Sequence, residues 1–137
     1  MLTRVQIVKW AKELRNPKYE QGHNFLVAGD KLCCMGVYLV GVEGIDPADL
    51  FVGLPSNIRD NYSQDVGINK EVGKNFALAI KSYTNSLRFG QPVCGETMFG
   101  YLNDSLKWSF AKIADFIETL PASDDEENKI TNKEYNV

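Results

Sequence analysis

Apolar side chains recur at helical spacing near both ends of the chain. In the N-terminal segment they occupy positions i, i+3, i+4 and i+7, and the residues are Ile7, Trp10, Ala11 and Leu14. Thr3 and Gln6 before them have the capping-box spacing, and Asn16-Pro17 after them cannot continue a helix. The pattern predicts an amphipathic helix that begins near Thr3 and ends before Pro17.

A second amphipathic helix is predicted after Ser109, which is a residue type that caps helices. Its apolar side consists of Phe110, Ile113, Ala114, Phe116, Ile117 and Leu120. Its polar side consists of Lys112, Asp115, Glu118 and Thr119. Pro121 ends the helix, and the polar residues 122–137 cannot bury enough apolar surface to fold, so we expect a disordered acidic tail.

A short antiparallel β-hairpin is predicted between the two helices. Phe25-Leu26-Val27 and Leu32-Cys33-Cys34 are apolar runs on either side of a turn. In that turn Gly29 tolerates a positive φ, and Asp30 can hydrogen-bond the backbone. The next run, Met35–Val40, either extends the second strand or starts a helix, and its length does not decide between the two.

The middle of the chain carries weaker signals. Asp46-Pro47-Ala48-Asp49 suits a short helical turn, and Leu54-Pro55-Ser56 suits the start of another. After Asn69, apolar residues recur at helical spacing, at Val72, Phe76, Ile80, Tyr83 and Leu87. Phe76–Ile80 also alternates as a strand would, and we favour the helix. Arg88–Gly95 contains a proline and two glycines and is predicted to be a loop.

These elements predict a single α+β domain over residues 1–121, in which the terminal amphipathic helices pack on a short antiparallel β-hairpin or sheet. A chain of 137 residues that is 44% hydrophobic can bury a core without a metal or a disulfide. No apolar run reaches the roughly 18–20 residues of a membrane span, so we expect no membrane association. Charges interrupt the N-terminal apolar pattern, so it does not read as a secretion signal.

Charge distinguishes the tail from the body. The net charge is −3, from 15 basic and 18 acidic residues, and residues 122–137 hold five acidic against two basic residues. Residues 1–121 therefore carry 13 charges of each sign and are neutral. Nucleic-acid binding through phosphates needs a clustered basic surface, so we expect no nucleic-acid partner.

Three cysteines and one histidine raise the question of a metal or thiol site. Cys33, Cys34, Cys94 and His23 have the composition of a Cys3His zinc site. Adjacent cysteines in a strand point to opposite faces, and the chain has no Cys-x-x-Cys, so we expect neither zinc nor another cofactor. A thiol nucleophile would need His23 as its base, and nothing marks either neighbouring thiol as activated. Buried, reduced cysteines are expected.

Two polar segments form the candidate binding site. Its residues are Lys18, Tyr19, Gln21, Gly22, His23, Asp30, Asn103 and Asp104. Tyr, Gln, Asn and Asp are poor core residues but hold polar ligands and partners well, and Gly22 lets a ligand approach the backbone. The alternative is structural, with Asn103-Asp104 as a helix end and turn and Gln21 bracing the hairpin.

Four aspartates could instead supply an acid–base pair or bind magnesium, namely Asp30, Asp46, Asp49 and Asp104. The turn position of Asp30 and the cap position of Asp46 already account for two of them. The glycines fit neither a phosphate-binding loop nor a dinucleotide fingerprint.

The order of these motifs resembles a family of small phage and prophage proteins of unassigned function. The matching motifs are Lys18-Tyr19-x-Gln21-Gly22, Gly29-Asp30, Cys33-Cys34-x-Gly36-Val37, Leu102-Asn103-Asp104, Ser109-Phe110 and Ile113-Ala114-Asp115. They lie in residues 5–42 and 95–120, and the middle of the chain does not match. The resemblance implies a phage or prophage accessory protein in the bacterial host cytosol. Such proteins often bind host defence proteins or sequester the nucleotide signals of host defence.

We therefore expect a phage-encoded, non-enzymatic, anti-defence binding protein whose partner is a host protein or a small nucleotide-like ligand. Ligand binding predicts a pocket between Lys18–His23 and Asn103–Asp104. Protein binding predicts an exposed apolar patch, for a host protein or a second copy of the chain, formed by Leu50, Phe51, Val52 and Leu54. The alternatives are a small hydrolase that uses Cys33, Cys34 or carboxylates, and a virion or packaging accessory protein.

Overall fold

The computed structural model describes residues 1–50, 68–83 and 95–125. Its helices are α1 (Arg4–Leu14), α2 (Cys34–Val37), α3 (Ile68–Ile80), α4 (Gly95–Gly100) and α5 (Phe110–Glu118). One π-helical turn, Tyr38–Val42, continues α2 and another, Tyr101–Ser105, continues α4, and Pro47–Asp49 forms a 3-10 turn. The helices and a small three-stranded sheet share one hydrophobic core, which confirms the predicted α+β domain.

The N-terminal helix forms as its sequence predicts. The Thr3 side chain accepts from the Gln6 backbone N–H at 3.2 Å, and Gln6 Oε1 accepts from the Thr3 N–H at 2.8 Å, which completes the capping box. All four residues of the predicted apolar side of α1 are buried. That side faces α5 and the π turn after α2, so the helix is stabilised mainly by tertiary packing.

The C-terminal helix is also confirmed. The Ser109 hydroxyl accepts from the Lys112 N–H at 3.2 Å and so caps α5. The whole predicted apolar side of α5 is buried, and the predicted polar side is exposed. α1 and α5 pack against each other, as expected for two helices whose apolar sides must cover one core.

The chain directly after α5 packs against the start of α1. Ala122 is fully buried, the Asp124 carboxylate accepts from the Arg4 N–H at 2.9 Å, and Asp125 forms an ion pair with the Arg4 side chain. These carboxylates lie at the positive end of the α1 dipole, where a negative charge is favourable. The acidic segment expected to be disordered from residue 122 is therefore docked as far as Asp125, and 126–137 lie outside the described residues.

The predicted hairpin forms around Gly29, although of its predicted apolar runs only Val27 and Leu32 lie in strands, and a third strand joins it. Strands β1 (Glu20–Gln21), β2 (Val27–Ala28) and β3 (Lys31–Leu32) lie in the order β1-β3-β2. β2 and β3 are antiparallel, and Gly29 supplies the positive φ of their turn, +63°. β1 is parallel to β3, so the sheet is mixed, and the purely antiparallel sheet was wrong in this respect.

The extension of the second strand through Met35–Val40 was also wrong, because this run is helical. Cys33 caps α2, and its sulfur accepts from the Gly36 N–H at 3.4 Å. A Cβ on Gly36 would lie 2.4 Å from the Leu26 carbonyl oxygen. Glycine therefore lets α2 pack directly on the backbone that leads into β2.

Aromatic rings fill the centre of the core. The Trp10 ring makes edge contacts with Tyr38, Phe76 and Phe99, at centroid distances of 5.4, 5.5 and 5.0 Å. Its indole N–H donates to the Cys34 carbonyl at 2.9 Å, so the one polar atom of this ring is satisfied. The first predicted helix thereby connects to α2, α3 and α4.

The middle of the chain contains the favoured helix, α3, so the alternating strand at Phe76–Ile80 was wrong. The helix begins at Ile68, so Asn69, after which the apolar spacing begins, lies inside it. The short turn after Asp46 is confirmed. The predictions at Leu54–Ser56, Leu87 and residues 88–94 lie outside the described residues, and Gly95 starts α4. Within residues 1–50, 68–83 and 95–125, no helix is both long and apolar enough to cross a membrane.

Candidate functional site

Seven of the eight predicted binding residues fall into two groups that are built differently. One group forms a hydrogen-bonded network inside the protein and consists of Gln21, Gly22, Asn103 and Asp104. The other group lines a surface cavity and consists of Lys18, Tyr19 and Asp30. His23 is exposed and is not among the residues described as lining that cavity.

The network is centred on Asn103, whose side chain is fully buried. Its Oδ1 accepts from Gln21 Nε2 at 3.0 Å and from the Cys34 backbone N–H at 3.2 Å. Its Nδ2 donates to the Gly22 carbonyl at 2.9 Å and to Asp104 Oδ1 at 2.6 Å. An asparagine amide has two donor and two acceptor positions, so every one of them is used.

Two further hydrogen bonds connect the network to the residue before the cap of α5 and to the loop after β1. Gln21 Nε2 also donates to the Trp108 carbonyl at 2.8 Å. Asp104 Oδ1 also accepts from the Asn24 N–H at 2.9 Å, and Asn24 has a φ of +73°. Together these bonds connect the sheet, the start of α2 and the π turn after α4. The segments expected to enclose a ligand therefore contact each other directly, which favours the structural alternative for Gln21 and Asn103.

The surface cavity has a volume of about 280 Å³. It is lined by Lys18, Tyr19, Val27, Gly29, Asp30, Leu32 and Pro47. Val27 and Leu32 are buried and form an apolar floor, whereas Lys18 and Asp30 are exposed and bring one charge of each sign. We call this cavity the hairpin pocket, because the β2–β3 hairpin supplies most of its lining.

The ring of Tyr19 is held between the hairpin pocket and the body of the protein. The Lys18 ammonium lies 4.9 Å from the centroid of this ring, within the range of a cation–π contact. On the other side, a Cβ on Gly41 would lie 3.0 Å from the Tyr19 hydroxyl oxygen and 2.8 Å from Glu13 Cγ. Glycine at this position therefore leaves room for both side chains. Glu13 Oε2 is a buried oxygen without a hydrogen-bond partner among the described residues.

The two neighbouring cysteines lie in the core, and their reactivity is suppressed there. Both side chains are fully buried, and neither is disulfide-bonded. Burial raises the pKa of Cys33 to about 12 and raises that of Cys34 well above the usual range of a thiol. Because a thiolate is the nucleophile, these thiols are poor ones at neutral pH. Cys94 lies outside the described residues.

The predicted acidic residues do not come together. Asp46 caps its turn by accepting from the Ala48 N–H at 2.9 Å, Asp49 is exposed, and Asp104 belongs to the network. Asp30 is the one carboxylate described in the lining of the hairpin pocket. In the part of the chain that the structure describes, no group of three or more His, Cys, Asp or Glu residues is placed to hold a metal ion.

The predicted apolar patch is wrong at Leu50, which is buried with 7% exposure. Its other residues, Phe51, Val52 and Leu54, lie outside the described residues. Exposed large apolar side chains occur elsewhere, and two of them, Val5 at 60% and Val8 at 54%, are neighbours on α1.

Comparisons with protein-family models, with curated proteins and with solved structures found no match for this chain. The chemistry of its surfaces is therefore the basis on which a function can be proposed. The predicted site contained three residues of the hairpin pocket and missed Val27, Leu32, Gly29 and Pro47. The predicted hairpin carries a signal for the first two, because Val27 and Leu32 lie opposite each other on its two strands and so share a face. Pro47 carried no such signal, because it belongs to a 3-10 turn that lies well after the hairpin in the sequence.

Proposed function

We propose that this chain is a non-enzymatic binding protein that holds a nucleotide-like small molecule in the hairpin pocket. One observation carries the proposal, which is that an apolar floor, an aromatic ring, a cation and an anion line the same cavity. Ligand sites typically combine a mainly apolar lining with a few polar groups that fix the orientation of the ligand. The described part of the hairpin pocket has this composition.

Each group has a counterpart in a nucleotide. The Lys18 ammonium would attract a phosphate, and the Tyr19 ring offers a surface for a base. The Asp30 carboxylate accepts hydrogen bonds and suits a sugar hydroxyl or an exocyclic amino group. A volume of about 280 Å³ is just below the usual range of about 300–1,000 Å³ for ligand pockets, so a single nucleotide unit fits better than a large ligand.

The arrangement supports holding a ligand more than transforming it. A hydrolase that works through paired carboxylates needs two of them within reach of the reacting atoms, and Asp30 is the only carboxylate described in this lining. The thiols proposed for a hydrolase are buried and have raised pKa values. Lys18 and Asp30 are better suited to bind charged and polar groups of a ligand.

The biological setting that we propose rests on the motifs shared with small phage and prophage proteins. In that setting the chain acts in the bacterial cytosol and sequesters a nucleotide signal of host defence. A host defence protein as the partner is the second version of the same proposal, and the exposed Val5 and Val8 on α1 favour it.

Equilibrium dialysis against a panel of mono-, di- and cyclic nucleotides tests the ligand. The bound fraction is released by heating and identified by mass spectrometry. We expect at least one nucleotide to be retained and recovered unchanged. Lys18→Met keeps the length of the side chain and removes its charge, and it should weaken retention about fivefold or more. Lys31→Met is the matched control, because Lys31 is exposed on β3 and outside the described lining.

Three results would count against the proposal. Recovery of a chemically altered nucleotide would support the hydrolase instead. Failure to retain any nucleotide would refute the nucleotide ligand. Equal losses in Lys18→Met and Lys31→Met would show that retention depends on net charge and not on the hairpin pocket.

A further inference from the structure

A second cavity lies between the start of α1, the π turn after α2, and α3. Its volume is about 220 Å³. It is lined by Leu2, Gln6, Tyr38, Glu43, Val72, Asn75, Phe76 and Ala79. The α3 residues recur at i, i+3, i+4 and i+7, so one side of that helix forms a wall of the cavity. We call this cavity the α3 pocket.

The apolar part of the α3 pocket is formed by packed side chains. The Tyr38 and Phe76 rings are stacked with centroids 4.0 Å apart and planes 9° from parallel. Leu2 is fully buried, and its backbone N–H donates to the Tyr83 hydroxyl at 3.1 Å. The wall is therefore formed in the free protein, and a ligand would bear little cost of ordering it.

Among the described lining residues, the polar part of the α3 pocket carries only negative charge. Glu43 is the one charged residue described in the lining, and its Oε1 accepts from the Tyr38 hydroxyl at 2.7 Å. This bond fixes the carboxylate at the rim and leaves Oε2 without a protein partner among the described residues. Gln6 and Asn75 add neutral amides, so the α3 pocket attracts cations and repels phosphates.

We infer that the α3 pocket is a binding site for a small organic cation, namely a primary ammonium group on a short aliphatic stem. The ammonium would donate to Glu43, and the stem would lie on the apolar wall formed by Val72 and Phe76. A charge-assisted hydrogen bond of this kind is stronger than one between neutral groups. This site is independent of the hairpin pocket, whose lining differs and whose cation suits the opposite class of ligand.

Three probes of the same shape and different charge test the inference, namely n-butylammonium, n-butanol and n-butyrate. Each is titrated into the isotopically labelled full chain, and binding is read from amide and methyl shifts at constant ionic strength. We expect n-butylammonium to bind most tightly and to shift resonances of Leu2, Val72 and Ala79. Glu43→Gln keeps the shape and removes the charge, and it should weaken n-butylammonium about fivefold or more.

Glu71→Gln is the matched control, because Glu71 is exposed on α3 and is not part of the described lining. This variant should bind n-butylammonium as the original chain does. Equal affinity for n-butanol, or an unchanged affinity in Glu43→Gln, would overturn the cationic class of ligand. Shifts confined to other surfaces, or no shifts at all, would overturn the site. Failure of nucleotide binding at the hairpin pocket would leave these outcomes unchanged.

Discussion

Replacing Asn103 by alanine should destabilise the protein more than its small change in volume suggests. The substitution removes an amide that is fully buried and uses all four of its hydrogen-bonding positions. Two of its partners are main-chain groups of the buried residues Gly22 and Cys34. Neither group can rotate to find a new partner, so both would be left unsatisfied.

The expected magnitude follows from these two groups. A buried polar group without a partner costs about 1–3 kcal/mol, so Asn103→Ala should lower the free energy of unfolding by about 2–6 kcal/mol. Native domains are stable by only about 5–15 kcal/mol, so this loss is a large part of the total. Asn103→Asp should be worse at neutral pH, because it places a second carboxylate next to Asp104. Its stability should partly recover in acid, where a protonated carboxyl group can again donate.

Urea unfolding followed by tryptophan fluorescence and circular dichroism measures the change. Asn75→Ala is the control, since Asn75 is exposed on α3 and its loss should change stability by less than about 0.5 kcal/mol. A double-mutant cycle with Gln21→Ala should give a coupling energy of about 0.5–3 kcal/mol, because the two side chains share a hydrogen bond at 3.0 Å. A loss below about 1 kcal/mol for Asn103→Ala would refute the structural role of this network.

The remaining predictions concern the two buried cysteines and two glycines. Cys33 and Cys34 should resist thiol reagents in the folded protein at pH 8, as read by peptide mapping, and rapid labelling would contradict their burial. Because burial raises both thiol pKa values, the unfolded chain loses these protons first, and the free energy of unfolding should fall as the pH rises from about 9 to 12. Gly36→Ala should cost about 3 kcal/mol or more in urea unfolding, since its Cβ would lie 2.4 Å from the Leu26 carbonyl oxygen. Gly44→Ala should cost only about 1–2 kcal/mol, because open space surrounds that position and only its φ of +75° opposes the change.

The elements with strong local signals could be predicted. α1 and α5 each have a capping residue, an apolar side and a stop signal within one short segment, so the sequence determines them locally. Strand β1 could not be predicted, because Glu20 and Gln21 are both polar and show no alternation of apolar and polar residues. They pair in parallel with β3 only through the tertiary fold. The helix after Cys33 was ambiguous, because a short buried apolar run fits either a strand or a helix.

The candidate site was predictable as a set of residues but not as an arrangement. Polar residues near a turn are equally compatible with binding a ligand and with satisfying the backbone, and only burial separates the two. Asn103 is buried and Lys18 is exposed, and no local pattern reports that difference. Pro47 reaches the hairpin pocket from a distant turn, so its contribution depends on the packing of α2 and its π turn.

Mapping where a nucleotide binds is the most direct test of the proposed site in the hairpin pocket. The tightest nucleotide from the dialysis panel is titrated into the labelled chain, and shift changes are followed at the hairpin pocket and around Asn103. Nucleotide binding in the hairpin pocket predicts changes at Tyr19, Val27 and Leu32 that are reduced in Lys18→Met, with the nucleotide unaltered at the end of the titration. Changes centred on Asn103 and the buried network, or conversion of the nucleotide to a product, would contradict it.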